Sequence, residues 1–555
     1  MVQAQECRGA ACSLLLQITR PYAQAQMTAP RVRKHWGWGF EDEELPRAEI
    51  EQAAAGFSAH IGFGTSEIED PKPLDEIELR APRVNAPAEL AHLADSSTHA
   101  RVFHSHGAAY RDVVRAFRGE ITNPTDVVLR PQTEADIAAI FQWCSAEGVA
   151  AIPFGGGTSV VGGVEPSVGS QFAGVATLDL SAFNRLEEVD GISGAARIGG
   201  GATGPQLEQA LSTHGLTLRC YPQSFQFSTL GGWIVTRAGG HFATAETHID
   251  DLLESARAVT PVGVWDSRRL PGSGAGPSPD QMLLGSEGTL GVVTSAWVRV
   301  RPKPGSRAQT SVQFPSFRIA AEAVREIVQA RLRPANLRLL DPSEAALTGA
   351  GDGQSAVLVV GFEAESRDVS GELDQALAIC SVHGGKWERV SSGGREGASG
   401  AWREAFLRAP YLRDTFVRMG VLSETFETAV TWDKFPDLLD SVTDAVESAL
   451  KDVCGAGRVS CRFTHVYPDG PAPYFTVLAP ADRGSEVAQW DAIKRAAGDA
   501  LIAAGGTITH HHAVGRDHRP WYDQQRPEVF ARAFSAAKAA VDPAGILNPG
   551  VLIGP

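Results

Sequence analysis

The chain has 555 residues, room for two large domains or for three to four of roughly 150 residues each, and enough to bury several cores without disulfide or metal staples. Its 50 Lys and Arg against 65 Asp and Glu leave a net charge of −15, which excludes a nucleic-acid binder with a broad basic face. Seven cysteines (Cys7, Cys12, Cys144, Cys220, Cys380, Cys454 and Cys461) contain no C-x-x-C spacing and fit free thiols in a reducing compartment better than a disulfide framework or a zinc site.

In chain order, residues 1–26 hold a short apolar stretch, 12–18, preceded by one basic residue, Arg8. That is too little for a secretory signal, so the segment reads as a disordered extension. Residues 31–44 (RVRKHWGWGFEDEE) are polar and aromatic, and 46–118 are mixed, with a short helical stretch at 87–93. Residues 123–130 read as a turn and a strand. Residues 133–147 place Ile137, Ile140, Phe141 and Cys144 at helical spacing, and 150–154 is a strand running into Gly155, Gly156 and Gly157. Strands are expected at 175–180, 195–198, 256–260 and 294–301, with a helix at 205–214. Two prolines in 301–305 (RPKPG) mark a boundary. Beyond it, 316–332, 368–382, 437–450 and 486–504 read as helices, and 356–363, 459–467 and 474–478 as strands. No apolar run approaches the ~18 residues that span a bilayer. The expected organisation is an extension (1–26), an N-terminal mainly helical region (27–120), a first α+β domain (121–305), a second (306–505) and a C-terminal segment (506–555).

The 58 glycines are clustered. A run of glycines lets backbone N–H groups converge on an anion, because no Cβ blocks the approach. The loop after the 150–154 strand is neither a P-loop nor a G-x-G-x-x-G turn. Two further Gly/Ser/Thr loops, 224–240 (SFQFSTLGGWIVTRAGG) and 284–293 (LGSEGTLGVV), each border an apolar run. Three such loops in one domain suit a long anionic cofactor better than three unrelated turns.

The motifs PFGGGTS (153–159), FSTLGGW (227–233) and SEGTLGVV (286–293) resemble the FAD-binding signatures of the vanillyl-alcohol-oxidase/para-cresol-methylhydroxylase flavoproteins. Later motifs, RLLD (338–341), YLRD (411–414), SETFETAVTWD (423–433), APYF (472–475), THHHAVG (509–515) and VDPAGILNPG (541–550), are similar to those of the alkyldihydroxyacetonephosphate synthase (alkylglycerone-phosphate synthase) family from about residue 120 onward. The resemblance implies a two-domain α+β fold of that flavoprotein type: an FAD-binding domain, an α+β substrate (cap) domain, and a C-terminal segment returning to the flavin domain.

It implies FAD contacts from Pro153, Phe154, Gly155, Gly156, Gly157, Thr158 and Ser159, and from Gln223, Ser224, Phe225, Gln226, Phe227, Ser228 and Thr229. Thr236, Arg237, Ala238 and Gly239 follow, then Glu287, Gly288, Thr289, Leu290, Gly291, Val292 and Val293. Tyr474 matches the family's catalytic tyrosine, His510, His511 and His512 its histidine triplet, Arg413 the arginine that holds the substrate phosphate, and Arg338 an arginine needed near the flavin. Residues 549–553 (PGVLI) match a segment important for activity but depart from its asparagine-containing version. The activity implied is a flavin-dependent ether-lipid transferase, replacing the acyl group of acyl-dihydroxyacetone phosphate by a long-chain alcohol without net redox change. Partners would be that lipid-like phosphate and alcohol, with peripheral membrane contact and a homodimer as further expectations, no nucleic acid, and a cytoplasmic location.

Blander readings stand beside these. Consecutive histidines in an extended segment alternate faces, which argues against one metal ion and for acid–base use. The resemblance to hydroxy-acid dehydrogenases that bind a metal lacks their glutamate between the histidines. Tyr474 in an apolar run could be plain core, Arg413 could simply pair with Asp414, and Cys454 and Cys461 read as buried thiols. A flavin oxidase or dehydrogenase of a hydroxy acid or alcohol remains the alternative, since a flavin domain alone does not separate the two.

Overall fold

A computed structural model describes residues 31–242, 244, 246–388 and 397–554. The expected extension 1–26, with Cys7 and Cys12, lies outside the described residues. The chain forms two compact units, one of Lys72–Gly240, Glu246–Lys303 and His511–Pro555, the other of Met1–Pro71, His241–Ala245 and Pro304–His510. The region expected as one N-terminal helical domain, 27–120, is thus divided at Pro71, and the C-terminal segment 506–555 at His510. The reason is burial. The helix Arg47–Ile61 has too few apolar residues for its own core and buries Ile50, Phe57 and Ile61 against Phe416, Met419 and Val421 of the second unit. Leu90 and Leu93 bury instead against Val127 and Leu129 of the first. Among the described residues no helix is long and apolar enough to cross a membrane.

The glycine-loop unit holds two main sheets. Four strands run in the order Ala94–Asp95, Val127–Leu129, Gly174–Asp179 and Val149–Phe154, the last three mutually parallel. The helix Glu134–Glu147 starts where Thr133 Oγ1 accepts the Asp136 amide and stops at Gly148 (φ +62°). Its fully buried Ile137, Ile140, Phe141 and Cys144 pack on Val149, Ala151, Ala176 and Leu178. Ile546 and Asn548 extend the sheet: the Ala151 amide donates to Ile546 O (2.8 Å) and the Asn548 amide to Ala151 O (2.9 Å). The second sheet is antiparallel, in the order Leu186–Asp190, Ala195–Gly199, Val292–Arg299, Leu253–Thr260 and Gly263–Asp266.

The other unit is built on one antiparallel seven-stranded sheet. Its order is Lys386–Trp387, Ser306–Phe314, Ala356–Ala364, Asn336–Leu340, Arg458–Val466, Pro471–Pro480 and Val421–Glu427. Alternation sends Phe463 and Phe475 to one face, where Phe463 meets Phe317 (5.2 Å) and Phe435 (5.0 Å) of the helices Phe317–Gln329 and Phe435–Cys454. The opposite face is polar around Arg462 and carries the helices Pro342–Leu347 and Gly397–Arg418. Cys461 is buried as expected, whereas Cys454, at a helix end, is only partly so.

Candidate active site

On that polar face three neighbouring strands set Arg462, Tyr474 and Glu427 directly opposite one another. Cross-strand partners share a face, so the three side chains form a row. The Arg462 guanidinium lies 3.9 Å over the Tyr474 ring. It also donates to Thr476 Oγ1 (3.2 Å) and forms an ion pair with Glu344, whose carboxylate further accepts the Ser460 hydroxyl (2.6 Å). Asp341, last residue of the RLLD motif, caps the helix that presents Glu344 by accepting the amides of Glu344 (2.7 Å) and Cys461 (2.6 Å). Burial pushes its carboxyl up to about 7. Tyr474 is 3% exposed. Burial raises its phenol above the usual value, while the Arg462 charge, a hydrogen bond with the Thr425 side chain and the Arg413 charge oppose that rise.

At the other end of the row Glu427 holds the start of the histidine motif. Its carboxylate accepts the Thr509 hydroxyl (2.7 Å) and the His510 backbone amide. His510 Nε2 lies 2.7 Å from the Tyr467 hydroxyl, and its ring centre 4.9 Å from that of His465. The triplet is not a strand. It runs through bends into Ala513 at φ +71°, and the rings of His511 and His512 meet edge-on at 4.8 Å. The expected alternation of faces therefore fails, because neighbouring side chains converge in a bend where they diverge in extended backbone.

Arg338 is 1% exposed, stacks 5.8 Å over Phe406 and donates from Nη2 to the His241 carbonyl (2.6 Å). Burial and the nearby Arg462 pull its guanidinium down to about 9. Arg413 sits half-buried on the helix Gly397–Arg418, close enough for its charge to act on Tyr474. The carboxylate of Asp414 is engaged by the Trp38 amide (2.9 and 3.1 Å) and lies 3.8 Å from Lys34. Gly37 makes this possible: it sits at φ +64°, and a Cβ there would lie 2.5 Å from the carboxylate. Trp36 and Trp38 of the same segment are buried.

In the glycine-loop unit the three expected loops meet. A Cβ on Gly156 would lie 1.8 Å from Phe227 O, and one on Gly155 2.4 Å from Thr229 Oγ1, so close approach of two loops already requires these glycines. Gly288 (φ +75°) seats the third loop against Pro153, and the Glu287 amide donates to Val235 O (2.8 Å). Thr229 Oγ1 accepts the Gly232 amide (3.3 Å) and Ser228 Oγ the Trp233 indole N–H (2.7 Å). The three loops that the resemblance assigns to FAD thus meet at a seam too narrow for Cβ atoms. Like Ser228 and Thr229, two charged residues among the expected contacts spend their side chains locally. Arg237 pairs with Asp250 (2.6 Å), and the Glu287 carboxylate accepts the amides of Val514 (2.9 Å) and Gly515 (2.8 Å). Val551, Leu552 and Ile553 of the PGVLI segment are buried with Val514.

Sequence reasoning missed Arg462, Glu344, Glu427, His465 and Tyr467. An alternating reading of 421–427, 458–466 and 471–480 would have put Arg462, Tyr474 and Glu427 on one face had the strand pairing been known.

Comparison with known proteins accords with this geometry. The "FAD binding domain" family model matches residues 125–266, and the "FAD linked oxidases, C-terminal domain" model residues 303–552. A solved alkyldihydroxyacetonephosphate synthase superposes with a TM-score of 0.78 at 24% identity, covering 93% of this chain and 98% of the other. p-Cresol methylhydroxylase superposes at 0.64 and 15% identity over 83% of this chain and 94% of its own, so the α+β fold is of the expected flavoprotein type. The cofactor is FAD. The alkyldihydroxyacetonephosphate synthase of Caenorhabditis elegans is 32% identical over 488 residues, covering 82% of this chain and 80% of the relative. The chain belongs to the alkyldihydroxyacetonephosphate synthase family.

Proposed function

We propose that this enzyme replaces the acyl group of an acyl-dihydroxyacetone phosphate by a long-chain alcohol, with no net redox change, in ether-lipid synthesis. The observation that carries the reading is the Arg462–Tyr474–Glu427 row, with Glu427 holding Thr509 and His510 in place. When bound, FAD supplies the electron-poor centre at which the exchange takes place. Tyr474 handles the proton at C1, beside the substrate ketone. His510, hydrogen-bonded to Tyr467, passes a proton to or from the departing carboxylate and the incoming alcohol. Arg413 clamps the phosphate through its planar fork, close to Tyr474. Arg338 fixes the backbone at His241 by its hydrogen bond to that carbonyl. We also infer, from the lipid nature of such a substrate, peripheral contact of an otherwise cytoplasmic protein with a membrane surface. Absorbance during turnover tests the main reading. The yellow colour should persist while ether product accumulates, and bleaching by a hydroxy acid or alcohol alone would establish the oxidoreductase instead.

A further inference from the structure

Arg462 is not among the residues to which the motifs point, yet its guanidinium lies over the Tyr474 ring. Its guanidinium carbon lies 3.9 Å from the centre of the phenol ring. Glu344 and Thr476 fix it there, and Asp341 caps the helix that carries Glu344. A cation over a ring face is attracted by the ring electrons, and the attraction grows when the ring carries the spread charge of a phenolate. A guanidinium is suited to the position because it can lie flat on the ring while its N–H fork is held elsewhere.

We propose that Arg462 is a positioning residue for proton transfer: it locks the Tyr474 ring and supplies the counter-charge for its phenolate, with Glu344 moderating that charge. The inference deepens the proposed function and rests on Tyr474 acting there as the proton acceptor. Only the phenolate accepts the C1 proton. In that transfer the proton moves to Tyr474, and the negative charge leaves the ring for the substrate enolate. Other charged groups act on the phenol too: Glu427 from the strand on its other side and Arg413 from the helix Gly397–Arg418, with Arg338 acting on Arg462. Burial drives the phenol up against all of the cations, and Arg462 limits that rise, so its loss would make the phenolate still harder to form.

The test follows tyrosinate formation by ultraviolet difference absorbance in the FAD-bound protein, with Tyr474→Phe subtracted to isolate the Tyr474 component. Arg462→Met should move that component up by at least one pH unit, a tenfold loss of phenolate at fixed pH. It should lower kcat at neutral pH about tenfold or more, shift the rising limb of the pH–rate profile upward, and leave KM for the phosphate substrate unchanged. Arg462→Lys, which keeps the charge but not the flat fork, should recover part of both. Glu344→Gln removes the moderating charge and should move the Tyr474 titration down, a change of opposite sign that a folding defect does not mimic. An unmoved Tyr474 titration in folded, active Arg462→Met, or an upward shift in Glu344→Gln, overturns the proposal. Should Arg462→Met fail to fold, Arg462→Lys and Glu344→Gln decide it alone. A titration that shifts as described in a protein with no exchange activity supports the pairing and overturns the substrate reading instead.

Discussion

The carboxylate of Glu287, in the third glycine loop 284–293 (LGSEGTLGVV), accepts the backbone amide of Gly515 at 2.8 Å, and that of Val514 beside it at 2.9 Å. A side chain expected at the cofactor is thereby spent on the turn that ends the histidine motif. Burial pushes this carboxyl up to about 7, above an ordinary glutamate. A group whose folded value is raised contributes stability that is present below its unfolded value and lost as pH rises through the folded one, here between about 4.5 and 7. Glu287→Gln keeps one acceptor but turns an N–H₂ toward a backbone N–H, at a cost of about 1–3 kcal/mol. The glutamine has no such pH dependence, so the thermal midpoints of the two proteins should lie furthest apart near pH 5 and draw together by pH 8. A constant gap across that range would contradict the assignment.

Arg413→Lys keeps the charge and loses the fork that matches a phosphate. KM for the phosphate-bearing substrate should rise about tenfold or more while kcat changes little, and KM for the alcohol should stay put. Equal losses for both substrates in steady-state kinetics would locate the damage in the helix Gly397–Arg418 rather than in the phosphate contact.

Tyr474→Phe removes one buried hydroxyl and almost no volume, so flavin content and melting temperature should survive. Exchange should fall by roughly 10²–10⁴, the usual contribution of a general acid–base group. His510→Ala should fall comparably. Because Glu427 ties His510 to the strand beside Tyr474, the double variant should lose far less than the product of the single losses, as expected of groups that work as a unit. Multiplicative losses would mean separate roles.

Gly156→Ala would place a methyl 1.8 Å from Phe227 O, and backbone cannot yield as a side chain tip can. The purified protein should be nearly colourless, with a flavin-to-protein absorbance ratio at most a tenth of normal. Gly272→Ala, where nothing lies within 4 Å, should retain full colour. A yellow Gly156→Ala protein would show that the seam between the first two loops tolerates widening.

Local periodicity made the elements legible. The helix Glu134–Glu147 shows its cap, its apolar stripe and its terminal glycine within sixteen residues. The loops were legible through their glycines, although Gly155 and Gly156 serve loop contact first. Pairing of distant strands was not legible, and it creates the row: Arg462 and Tyr474 are set opposite by a bulge after Phe463, and Glu427 by a strand that follows a long helix. The bend of the triplet was missed because three histidines have no strong local preference, whereas the positive φ at Ala513 is fixed by what surrounds it. Division of the N-terminal region between two cores was equally invisible, since it depends on which sheet offers each short helix an apolar partner.

The bond from the Trp38 amide to Asp414 joins residues 376 positions apart. Two tryptophans that end buried must therefore wait, uncovered, until nearly three quarters of the polypeptide has left the ribosome. The pairing of Ala151 with Ile546 and Asn548 imposes a similar delay at the other end. Closing loops of this length late in synthesis makes such contacts slow to form and leaves apolar surface open to aggregation meanwhile. A protein stopped before the helix Gly397–Arg418 lacks three of the seven strands of its sheet, and one cut after the histidines lacks the Ile546–Asn548 segment that extends the other, so stable variants are to be sought by circular permutation rather than by truncation.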